Sequence, residues 1–159
     1  MTVKLNLGAG NTEIEGFTPL DAKMGHDVRH LGYPDQTVDE IRASHILEHF
    51  SYREVPSVLG EWLRTLKIGG KIRIAVPDMD WINAHPEHPQ AEGFLMGGHV
   101  DAMDVHKSTF TKSKLAEIMA KSGLEDIVEW KSDNTDCASL PVSLNLEGIK
   151  RHTIVVTPK

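Results

Sequence analysis

The run Leu5-Asn6-Leu7-Gly8-Ala9-Gly10 ends an apolar stretch in a glycine turn, and Asp21 closes the next short stretch, Phe17 to Leu20. A strand that stops at such a turn lets a ligand approach bare backbone. A carboxylate at the end of the following strand can accept both hydroxyls of a ribose. Together Leu7, Gly8, Ala9, Gly10 and Asp21 read as a nucleoside-binding corner. A dinucleotide fingerprint would need a third glycine and a following helix. Here the turn continues Gly10-Asn11-Thr12-Glu13.

A second group stands at His45-Ile46-Leu47-Glu48-His49, which fits the H-x-x-E-H pattern of a zinc hydrolase. Two histidines one helical turn apart could grip a zinc ion beside a general base. The context argues otherwise. The segment follows a strand and precedes a capped helix, and no third ligand stands on a second helix, although the loops hold spare His and Asp. No metal is expected, and Glu48 and His49 are read as lining or supporting a pocket rim.

The elements that must position these groups follow from periodicity. Val3–Leu7, Phe17–Leu20, Val38–Ala43 and the strongly alternating Lys71–Val76 read as strands. Ser51 and Glu54 have capping-box spacing, and Val55, Val58, Leu59, Trp62, Leu63 and Leu66 recur at helical intervals up to Gly69-Gly70. Thr111 caps a second helix carrying Leu115, Ile118 and Met119, ended by Gly123. Ile127–Trp130 and Thr153–Thr157 read as the last strands. Two long loops remain, 78–107 and 131–152. The apolar Ser-Leu-Pro-Val-Ser-Leu-Asn-Leu run of the second offers a homodimer contact or a lid. Too few residues separate Gly10 from Asp21, or Asp21 from Val38, for full crossover helices.

The chain of 159 residues is expected to form one domain, 1–159. Its net charge of −6 disfavours a nucleic-acid partner, since phosphate neutralisation needs a basic face. A single cysteine, Cys137, suits a reducing compartment, and no signal or membrane-length run is evident, so a cytoplasmic location is expected.

The ordered motifs resemble a class I S-adenosylmethionine-dependent methyltransferase, closest to a compact group of such enzymes. LNLGAG is similar to the family's first motif, and Asp21 matches its ribose-binding acid. DVRHL with YPDQTVDEI, ASHILEHF, EWLRTLKIGGKIRIAVPD and HKSTFTKSKLAEIMAKSGLEDI resemble the later segments in order. The pattern departs at Ala9, at the absent third glycine and in its missing N-terminal helices. The resemblance implies an α/β fold with a mostly parallel seven-stranded sheet, the last strand antiparallel, and N-terminal helices reduced or missing. It implies S-adenosylmethionine as cofactor, held by Leu7, Gly8, Ala9, Gly10 and Asp21, by Asp27 and Val28 near the adenine, and by Ser44 and His45 near the methionine part.

The implied reaction is direct displacement of the methyl group onto a small-molecule or sugar-type acceptor. His106, His45 and Asp78 are the candidate bases, with Asp80 beside them. A catalytically silent S-adenosylmethionine-binding module that acts with a partner protein is the alternative.

Overall fold

The computed structural model describes residues 1–153. Six strands form one sheet among them: β1 (Lys4–Leu7), β2 (Thr18–Leu20), β3 (Val38–Ser44), β4 (Leu66–Pro77), β5 (Leu124–Glu129) and β6 (Ser143–Lys150), in the order β2-β1-β3-β4-β6-β5. The first four run parallel, and β6 is antiparallel to both its neighbours. Four helices accompany them: α1 (Val55–Thr65), α2 (Met79–Ala84), α3 (Ala91–Met96) and α4 (Lys112–Lys121).

Two expectations are corrected here. The sheet has six described strands rather than seven. Its antiparallel strand is β6, inside the segment read as a loop, while the strand expected at 153–157 falls almost wholly outside the described residues. Residues 143–150 alternate with period two, and Leu144, Leu146, Gly148 and Lys150 turn one way. The apolar run therefore packs Val142, Leu144 and Leu146 inward, while Leu140 stays exposed. The loop after β4 is also more ordered than its weak patterning suggests, because it holds α2 and α3.

Register places Leu5, Ile41 and Ile72 in one row and Leu7, Ala43, Ile74 and Leu146 in the next, all on one face. Leu59, Trp62 and Leu63 of α1 and Leu115 and Met119 of α4 complete the same core. The opposite face is polar: Lys4, Glu40 and Lys71 form one row, and Asn6, Arg42, Arg73 and Glu147 the next. Parallel sheets usually carry helices on both faces. Here the chain between β1 and β3 holds only one 3-10 turn, Ala22–Met24, so half the usual cover is missing. Charged side chains replace it, with Arg73 bridging Glu40 (3.2 Å) and Glu147 (2.9 Å). That substitution explains the strong alternation of Lys71 to Val76.

The loop after β5 seals part of this face. Arg42 pairs with Asp136 at 2.6 Å, both side chains about 5% exposed or less, and Trp130 lies over the Arg42 guanidinium. Removing one partner of a buried pair strands the other charge. Arg42→Ala is expected to lower unfolding free energy by about 3–5 kcal/mol in urea titration. A change below about 1 kcal/mol would show that Asp136 finds water instead.

The turn leading into α1 makes half of the expected capping box: the Glu54 carboxylate accepts from Ser51 N–H (3.1 Å), while Ser51 Oγ accepts from Arg53 N–H (3.2 Å) rather than from Glu54 N–H. It ends at Thr65, not at Gly69-Gly70. The Lys150 ammonium, 2% exposed, donates to the carbonyls of Leu63 and Leu66 (2.6 and 2.7 Å) and so caps the helix from β6.

Candidate functional site

The carboxyl ends of β1 to β4 supply the backbone turns on which ligands of open parallel sheets lie. At β1, Gly8 and Gly10 both adopt left-handed φ (65° and 54°). A Cβ on Gly8 would stand 2.6 Å from Ile46 Cδ1, whereas one on Gly10 would meet nothing within 4 Å. Gly8 is thus required by packing, and Gly10 faces open space. Asp21 fastens this turn. One of its oxygens accepts from Gly10 N–H and the other from Lys23 N–H, each at 2.9 Å. A carboxylate offers about four lone-pair positions, so about two remain for a ligand. Below the turn, Asn6 Oδ1 is buried without a partner among the described residues.

The other expected cofactor residues divide. Leu7 and Ala9 are buried, so only their backbone can meet a ligand. Ser44 ends β3 beside Ala75 of β4. Val28 is buried, and its carbonyl accepts from Trp62 Nε1–H of α1 at 2.9 Å. Asp27 is exposed and turned to Arg29, accepting from its Nε and its terminal nitrogen at 3.0 Å each. That guanidinium holds the Asp27 carboxyl below the ordinary aspartate range. Among the described residues no hydrogen bond joins Asp27 to Gly8, Gly10 or Asp21.

The histidines converge on one acid. Glu48, 1% exposed, lies in the 3-10 turn Leu47–His49, and neither carboxylate oxygen has a hydrogen-bond partner among the described residues. His45 Nδ1 stands 3.6 Å from Glu48 Oε1, and His49 Nε2 and His106 Nε2 each stand 3.9 Å from it. His45 adopts a left-handed φ of 53°, a strained state for a residue with a side chain. Its amide donates to the Ala75 carbonyl at 2.7 Å, which fixes the turn. Burial pushes the His106 pKa below the ordinary histidine value, against the opposing pull of Glu48.

Of the three candidate bases, the fold brings His45 and His106 together around Glu48. Asp78 instead caps α2, its Oδ1 accepting from Asp80 N–H at 3.0 Å. His106 also lines a narrow apolar recess with Pro77, Met79, Ile82, Phe94 and Ser108. The Ser108 hydroxyl there is buried and unpartnered among the described residues. Trp81 stacks on His85 at 4.0 Å and packs edgewise on Phe94, so it belongs to an aromatic cluster of α2 and α3. Sequence reasoning placed Glu48 at a rim and missed it as the centre. Its signal was an acid inside an otherwise apolar turn.

Residues 15–74 match a family model described as a methyltransferase domain. A Burkholderia thailandensis 1,6-didemethyltoxoflavin-N1-methyltransferase, solved with its acceptor and S-adenosylhomocysteine, superposes with a TM-score of 0.65 at 17% identity, covering 94% of this chain and 71% of that one. A SAM-dependent methyltransferase of Thermotoga maritima gives 0.63 at 14% identity, covering 94% and 83%. The chain thus has the fold of solved SAM-dependent methyltransferases, and part of it carries a methyltransferase-domain signature. A SAM-dependent methyltransferase of Archaeoglobus fulgidus adds a TM-score of 0.59 at 16% identity, covering 94% and 86%. No curated protein sequence matches this chain significantly. No helix of its described residues is long and apolar enough to cross a membrane.

Proposed function

We propose that this methyltransferase moves the methyl group of S-adenosylmethionine to a small-molecule acceptor by direct displacement. The observation that carries the reading is the 2.9 Å hydrogen bond from Gly10 N–H to Asp21, which joins the glycine turn and the strand-end acid into one rigid corner. The residues present fit the cofactor. Gly8 leaves no room for a side chain, Gly10 opens onto free space, and Asp21 keeps acceptor capacity for two vicinal hydroxyls.

Gly8, Ala9 and Gly10 would offer backbone to the donor, Asp21 its ribose contact, and Asp27 and Val28 the adenine side. Ser44 and His45 would lie toward the methionine part. The donor carries no phosphates, so the missing helix after β1 removes little that such a ligand needs. S-adenosylmethionine supplies an electrophilic methyl group on a positively charged sulfur. The protein's task is then to hold the acceptor in line with it and keep water out. His45 or His106 takes the proton that a hydroxyl or amine acceptor loses as its new bond forms.

The acceptor would approach beside the apolar recess of Pro77, Met79, Ile82, Phe94 and His106, which holds no more than about one water molecule and must open to admit it. A small-molecule or sugar-type acceptor is the reading, and the acidic net charge of −6 disfavours nucleic acid. The lone Cys137, exposed and unpaired, suits a reducing compartment such as the cytoplasm.

Incubation with methyl-labelled S-adenosylmethionine and a library of small alcohols, phenols, amines and sugars tests the reading. Label should appear in one chemical class and fall at least 10-fold in His45→Ala or His106→Ala, the loss typical of a removed general base. Label transferred equally by wild type and the double variant would remove both histidines from the reaction.

A further inference from the structure

The histidines around Glu48 carry a hydrogen-bond pattern that fixes where their protons lie. His49 Nδ1 stands 3.0 Å from the Met103 carbonyl, and His106 Nδ1 stands 2.9 Å from the Phe94 carbonyl. A carbonyl oxygen only accepts, so both Nδ1 atoms carry the proton. In the neutral imidazoles, both Nε2 atoms then present lone pairs, and both face Glu48 Oε1 at 3.9 Å.

His45 is fixed in the same sense from the other side. Asn145 Nδ2 donates to the Ala138 carbonyl, so Asn145 Oδ1 accepts the Ser143 hydroxyl proton at 2.6 Å. Ser143 Oγ must therefore accept from His45 Nε2–H at 2.8 Å. That leaves His45 Nδ1 as a lone pair 3.6 Å from the same carboxylate oxygen. Three acceptors thus surround a buried carboxylate that has no hydrogen-bond donor among the described residues. Buried charges unpaired in this way are costly, and such sites are completed by cations. A histidine whose outer N–H is tied to a backbone carbonyl is also the usual form of a metal ligand.

We propose that Glu48, His49 and His106 bind a divalent first-row transition-metal ion beside the acceptor recess. Their ligand atoms all lie within 4.8 Å of one another. Two imidazoles and one carboxylate form the donor set that zinc and its neighbours take in open sites. Ligand bonds of about 2.0–2.2 Å require the trio to close by only about half an ångström. Because His106 also lines the recess, the ion would lie beside it. The metal site itself stands without the methyl-transfer reading. Its role there, holding an acceptor oxygen and leaving His45 as the base, rests on that reading.

Untagged, chelator-stripped protein titrated with zinc by calorimetry, and with cobalt by visible absorption, tests the site. One saturable equivalent and cobalt d–d bands are expected. Glu48→Gln, His49→Ala and His106→Ala should each weaken zinc at least 10-fold, while His88→Ala leaves it unchanged. Circular dichroism checks folding, and His49→Ala with His106→Ala keeps the test decisive if Glu48→Gln fails to fold. Absence of saturable binding overturns the proposal, as does zinc affinity that survives the double variant. S-adenosylhomocysteine titrated on the same samples separates the two readings: loss of donor binding with zinc retained strikes only the donor corner.

Discussion

Asp21→Ala is expected to abolish measurable binding of S-adenosylhomocysteine while leaving the protein folded. The carboxylate would accept the ribose hydroxyls by charge-assisted hydrogen bonds, worth about 1.5–3 kcal/mol each. Two of them amount to about 3–6 kcal/mol, or two to four orders of magnitude in affinity. The variant also releases Gly10 N–H and Lys23 N–H, which Asp21 now receives at 2.9 Å. Both amides lie at the surface end of the sheet, where water can replace the lost acceptor. Thermal midpoint should therefore fall by only a few degrees. Asp21→Asn keeps one oxygen and loses the charge, and an intermediate affinity is expected. Calorimetry on the three proteins decides the matter, and equal affinity in Asp21→Ala and wild type would remove Asp21 from the site.

Trp62 carries an expected effect on stability as large as that of Arg42. The indole is fully buried between α1 and the sheet, and its N–H donates to the Val28 carbonyl at 2.9 Å. Trp62→Ala should cost about 3–5 kcal/mol, a large share of the stability of a domain this size. Trp62→Phe separates packing from tethering. It keeps most of the volume but leaves the Val28 carbonyl buried and unpaired, at about 1–3 kcal/mol. If the tether positions the segment after β2 for the adenine, Trp62→Phe should weaken S-adenosylhomocysteine more than Met119→Ala, a core truncation in α4. Equal affinities at matched loss of stability, read from urea unfolding and calorimetry, would leave Trp62 with packing alone.

Local signals in the sequence were read well where neighbours in the chain decide the structure. The Leu5–Gly10 turn, the Ser51–Glu54 hydrogen bond, the Thr111 cap and the alternation of Lys71–Val76 all depend on residues within one turn or strand. The misreadings lie where distant residues decide. Helix α1 stops at Thr65 because Lys150, from the far end of the chain, takes its last carbonyls. Strand β6 was hidden because Leu140-Pro141 reads as a loop and Gly148 interrupts the apolar alternation, while its partners in β4 lie far upstream. The short connections between β1 and β3 did announce the missing helices. Their consequence, a charged sheet face, needed the register.

The candidate site divides the same way. The joining of Gly10 to Asp21 was legible because these residues sit at the ends of adjacent strands whose spacing is visible in the sequence. The Glu48 cluster was half visible. His45, Glu48 and His49 form a recognisable motif, but His106 reaches them only because Lys107 and Ser108 N–H both bond the Glu48 carbonyl, docking the later loop there. Nothing in the spacing announces that contact.

The account rests most heavily on where the methyl donor lodges, and a crystal structure with S-adenosylhomocysteine tests that directly. The ribose hydroxyls should lie within hydrogen-bond distance of Asp21, with the amino-acid portion over Gly8 to Gly10. Saturated crystals with that corner closed by side chains, or with the ligand bound elsewhere on the protein, would contradict the account.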